Sequence, residues 1–70
     1  MKTTVERARE AAEILAAEGD FESAGQMLRV KACLESGSPT RAMSFARNAR
    51  HDAYTEIGRA VCADIIGLIR

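Results

Sequence analysis

His51 is the only histidine in this 70-residue chain, and Cys33 and Cys62 are its only cysteines. Chemistry that needs several nitrogen or sulfur ligands therefore has little to draw on. Neither cysteine has a histidine or a second cysteine at ligand spacing, so the pattern is neither a zinc site nor the disulfide framework of a small secreted domain. Isolated cysteines on helical apolar faces act as small hydrophobes; a redox-responsive pair is the competing reading. A nucleophile and base formed by Cys33 and His51 would need a tertiary approach that the spacing does not encode. The carboxylate pairs Glu10/Glu13 and Asp52/Glu56 have ordinary helix-surface spacing and no apolar pocket to raise a pKa, which argues against general acid–base work. Asp64 differs, because it falls near the apolar phase of the last helix, where an unpaired carboxylate is costly. It either pairs with an arginine across an interface or reaches out to the edge. The expectation is a protein that is not an enzyme, with no catalytic residue, metal or cofactor.

The remaining chemistry is cationic. On a helix, Arg41, Arg47, Asn48, His51, Thr55 and Arg59 share one polar arc, with Arg50 at its margin. Arg41, Arg47, Arg50, His51 and Arg59 are thus candidate contacts for a polyanion or an acidic partner. The formal net charge is zero, but it is unevenly spread. Residues 1–28 sum to −3, residues 29–51 to +4 and residues 52–70 to −1. Nucleic-acid binders usually carry a strong basic excess and aromatic side chains that stack on bases; this arc has no aromatic residue and sits in a chain with an acidic first helix. A solvated face is the simpler reading of the arc.

Three stretches must position these groups, and all read as helix. Thr3 with Glu6 three residues on is a capping box, after which Val5, Ala8, Ala11, Ala12 and Leu15 recur at helical spacing until Gly19 stops the run. Asp20 can cap the next helix, with Glu22 in its first turn. The Gly19-Asp20-Phe21-Glu22-Ser23-Ala24 turn resembles the link between the two helices of a tetratricopeptide repeat, over those residues alone. No second copy follows at the period of that repeat, where Ala53 stands in place of the glycine, and no function is carried over. The second helix is expected to bury Phe21, Ala24, Met27, Leu28, Val30 and Leu34. Gly25 within it either permits a close helix approach or is merely tolerated. Gly37, Ser38 and Pro39 then form a stop, an N-cap and an N1 proline.

From Pro39 the small and apolar positions Ala42, Ala46, Ala49, Ala53, Ile57, Ala60 or Val61, Ile65 and Leu68 keep one helical phase. That phase predicts a single long helix, with a break near Asn48–Asp52, where Asp52 could cap a fourth helix, as the alternative. The expected fold is all-α, one domain over residues 1–70 with helices at about 4–18, 21–36 and 39–69: a short hairpin packed on a long C-terminal helix.

Around the end of that helix, Val61, Cys62, Ile65, Ile66, Leu68 and Ile69 point in nearly every direction, so more than one side must be covered. Two short alanine-rich helices cover one side. The predicted protein interface is Ile14, Val61, Ile65, Ile66, Leu68 and Ile69, and a homodimer through the C-terminal helix is expected. The functional expectation is a small interaction module, an adaptor or inhibitor of a larger protein complex. Phage-encoded inhibitors of host defence such as anti-CRISPR proteins are one example, and the Arg- and Ala-rich usage fits a small bacterial or phage protein. The alternative is a nucleic-acid-binding accessory protein that uses the basic ridge. No leader-like apolar segment or membrane-length run occurs, so a cytoplasmic location is expected.

Overall fold

The computed structural model describes residues 1–70 as four helices and no strand: α1 (Thr4–Ala17), α2 (Phe21–Glu35), α3 (Pro39–Asp52) and α4 (Glu56–Ile69). The capping box forms as its residues require: the Glu6 amide donates to Thr3 Oγ1 and the Thr3 amide donates to Glu6 Oε1, both at 3.1 Å. Gly19 and Gly37 take φ of 85° and 76°, the left-handed conformation that ends a helix at little steric cost. Pro39 opens α3 at its first turn, where a missing amide donor costs nothing. None of the helices is long and apolar enough to cross a membrane.

The long C-terminal helix is replaced by two helices. The chain breaks at residues 53–55, and Thr55 caps α4 by accepting from the Gly58 amide at 2.9 Å. Asp52 stays in the last turn of α3 and caps nothing. The break also shifts the helical phase. Ala42, Ala46, Ala49 and Ala53 face inward as the sequence pattern implies, but the inward residues of α4 are Gly58, Cys62, Ile65 and Ile66. Ile57 and Leu68, which continue the α3 phase, are 52% and 45% exposed. The apolar residues on both sides of the inward stripe of α4 conceal this slip.

With four short helices the chain closes on itself. Each helix packs on its neighbours in sequence, and α1 also meets α4. Leu15 lies beside Gly58, so the end of α1 meets the start of α4 and the two run antiparallel. Half of the core residues are alanines, with Leu15, Met27, Val30, Cys33, Cys62, Ile65 and Ile66 as the larger members. Small side chains let the axes approach closely enough for polar contacts between helices. Ser23 on α2 is fully buried and donates to the Ala49 carbonyl on α3 at 2.7 Å. The second helix departs from expectation at two positions: Phe21 and Leu28 are 72% and 54% exposed, because α2 turns its Ser23, Ala24, Met27, Val30 and Cys33 side inward. Gly25 faces open space and permits no close approach.

Candidate binding surfaces

The two flanks of α4 carry two different grooves. On the α1 side, Arg7, Glu10, Ala11 and Ile14 face Val61, Asp64, Ile65 and Leu68. Ile14 and Leu68 are exposed and Val61 is half-buried, so this groove gathers four of the six residues expected at an interface. Ile65 is its buried floor. Ile66 and Ile69 lie on the other flank, and Ile66, like Ile65, belongs to the chain's own core and has little surface left to offer. Burying both sides of α4 against α1 and α3 is what consumes the apolar surface that the long-helix reading left uncovered. Asp64 is exposed at the rim of the α1–α4 groove and has no ion pair within the chain, so it bears no burial cost.

On the α3 side, Arg47, Arg50, His51, Arg59 and Arg70 line an open concavity with Ile66 at its base. It continues past Arg47 into a hollow bounded by Pro39, Thr40, Met43, Ser44, Asn48 and Ile69. On a continuous helix Arg47 and Arg59 would stand about 18 Å apart along the axis; folding α4 back on α3 places them around one space. Arg41 is exposed but does not line this groove. No acidic side chain lines either part of it, and no arginine of the chain forms an internal ion pair. Arg59 donates only a long hydrogen bond, 3.4 Å, to the Ala53 carbonyl. At one end His51 Nδ1 lies 3.4 Å from Asp52 Oδ1, a weak contact at the surface.

A further polar cluster, centred on Asp20, is structural. Asp20 holds the N-cap position of α2, yet its side chain caps nothing there. It is almost completely buried, accepting from the Tyr54 amide at 3.1 Å and from the Thr55 hydroxyl, while the Tyr54 hydroxyl donates to the Gly19 carbonyl. These bonds tie the α1–α2 turn to the α3–α4 turn. The Thr55 hydroxyl bond holds the Asp20 carboxyl below the usual carboxylate range, against the opposing effect of burial, and the Tyr54 amide adds to the lowering. Gly58 completes the cluster, since a β-carbon there would run into the Asp20 carboxylate and reach 2.8 Å from Thr55 Oγ1. A sequence signal for this cluster exists only in part: Thr55 with Gly58 three residues on has the spacing of a cap, but nothing local points Asp20 at it.

Cys33 and Cys62 are both free and buried. Burial pushes the Cys62 thiol up to about 11, with the Asp20 carboxylate acting in the same direction. A thiol so placed is a packing group rather than a nucleophile. No three His, Cys, Asp or Glu side chains gather in a metal-holding arrangement.

Fold and surface together define a small all-α four-helix protein with two grooves along its last helix. Comparison with protein-family models, with curated proteins and with solved structures found no match to the chain.

Proposed function

We propose that this protein is a non-enzymatic interaction module, an adaptor or inhibitor of a larger protein complex, that acts in the cytoplasm as a homodimer joined through the α1–α4 groove. The observation that carries the reading is the convergence of exposed Ile14 and Leu68 with half-buried Val61 in one groove rimmed by both signs of charge. A two-fold interface presents the same patch twice, so residue i meets j and j meets i. Arg7 of one copy can then meet Asp64 or Glu10 of the other while the aliphatic side chains pack between them. Phage-encoded inhibitors of host defence, anti-CRISPR proteins among them, are one class that this size and composition would suit.

Light scattering on a sizing column tests the self-association. The expected mass is twice 7.6 kDa at tens of micromolar, falling to the monomer in Ile14→Glu/Leu68→Glu with helicity unchanged. A wild-type monomer at that concentration overturns the homodimer.

A second reading, a nucleic-acid-binding accessory protein, is favoured by one observation: the α3–α4 groove is lined by four arginines and a histidine with no acid among them. Gel-shift titration at low salt with duplex and single-stranded probes tests it, and absence of a shift removes it.

A further inference from the structure

We infer that the α3–α4 groove docks an acidic amphipathic helix of a partner protein, its carboxylates meeting Arg47, Arg50, Arg59 and Arg70 and its apolar side chains meeting half-buried Met43 and Ile69. The inference rests on the interaction-module reading and names the chemistry of the partner.

Charge is the first support. The charged side chains that line the groove are all basic, its arginines have no carboxylate partner within the chain, and seven of the ten acidic side chains lie on α1, α2 and the turn that joins them, with Asp52 touching the groove only at His51. Unpaired guanidiniums present planar pairs of donors that fit carboxylates and phosphates equally well. The groove base decides between them. Ile66 lies beneath the Arg47–Arg59 part and Ile69 with Met43 beneath the adjoining part, the latter two half-buried and still offering apolar surface. A phosphate backbone has nothing to place on that surface. Its bases would need a platform of aromatic side chains to stack on, and the groove has no Phe, Tyr or Trp, His51 being its only ring. A helix with carboxylates flanking an aliphatic stripe satisfies both the rim and the base.

Length is the second support. The walls are two helices of 14 residues, each about 21 Å long, so a partner helix of about four turns fills the space between them. Laying an amphipathic helix along such a seam is a common mode of peptide recognition.

The test uses the whole protein and a fluorescein-labelled peptide of about 16 residues, with Leu at helical spacing and Glu at the flanking positions. Its control replaces every Glu by Gln. Anisotropy titration should show the Glu peptide binding at least about tenfold tighter than the Gln peptide, the ratio shrinking as salt is raised. Arg47→Gln/Arg59→Gln should weaken the Glu peptide about tenfold and leave the Gln peptide unchanged, with an unchanged melting curve. Equal binding of both peptides, or unaltered binding in the double variant, overturns the inference. So does tighter binding of a duplex or single-stranded DNA probe of similar charge than of the Glu peptide. The monomerising variant Ile14→Glu/Leu68→Glu keeps the two ideas apart. Loss of peptide binding in that variant overturns the placement in the α3–α4 groove. A wild-type monomer that still discriminates the peptides leaves the groove standing and removes only the homodimer.

Discussion

Replacing Gly58 by alanine should destabilise the protein, although the same change at an open helix position stabilises one. Alanine favours helix over glycine by about 1 kcal/mol. At Gly25, where nothing lies near an added β-carbon, that gain should appear nearly whole. At Gly58 the β-carbon meets three neighbours that cannot all yield: the Asp20 carboxylate, Thr55 Oγ1 at 2.8 Å and Leu15 Cδ2 at 3.1 Å. Overpacking of this kind costs about 1–3 kcal/mol, and displacing the Thr55 hydroxyl weakens an N-cap that contributes about 1 kcal/mol. The net expectation is a loss of about 2 kcal/mol, which in a chain of this size lowers Tm by roughly 8–16 °C. Urea denaturation of Gly58→Ala and Gly25→Ala, followed by circular dichroism, reads both signs in one assay. If Gly58→Ala is as stable as the wild type, the close approach of α4 to the Asp20 cluster is wrong.

Two further outcomes follow from the interior. The folded Asp20 carboxyl titrates below its ordinary 3.8, so its stabilisation is present above that value and is lost as pH falls through the folded pKa. Glu6, lowered chiefly by the Thr3 amide, acts in the same direction and window. Urea midpoints measured from pH 6 down to 2 should fall below about pH 4, with a shallower decline in Asp20→Asn; equal slopes would refute the assignment. Cys62 runs the other way: its thiol is raised from 9.0 to about 11, so its contribution is complete below pH 9.0 and is lost as pH rises toward 11. In the native protein it should resist a maleimide at pH 8 and react once urea unfolds the chain, whereas rapid native labelling would contradict its burial.

The helices were legible where the signals are local. Thr3 with Glu6, Gly19 and Gly37-Ser38-Pro39 each act within a few residues, and each marks the helix end that the structure shows. The α3–α4 break is different in kind. Its cap, Thr55, carries no acidic residue three positions on, and the apolar stripe runs through it because Ile57, Val61 and Leu68 happen to extend the α3 phase on a helix whose inward face has moved to Gly58, Cys62, Ile65 and Ile66. Periodicity cannot register a bend when both candidate faces are apolar. The same limit explains Phe21 and Leu28. Two overlapping stripes exist on α2, and only its packing against α1 and α3, with the buried Ser23 bond to the Ala49 carbonyl, decides which one is inside. The basic residues were visible as a group, but their gathering with Arg70 around one groove depends on the fold-back, a tertiary event. In the sequence Asp20 has only the marks of a local cap, because its reach of 34 and 35 residues to Tyr54 and Thr55 leaves no trace near it.

The contact between α1 and α4 closes the four helices into a ring, and a ring has no privileged first member. Thr3, the Ser36–Ser38 connection and Arg70 lie at one end, opposite the Asp20–Tyr54 link between the other two turns. A short bridge from Arg70 to Met1, with new ends cut at Gly37, would therefore reorder the chain as α3–α4–α1–α2 and leave every buried neighbour in place. For this protein the architecture is a property of which helices touch rather than of the order in which they are made.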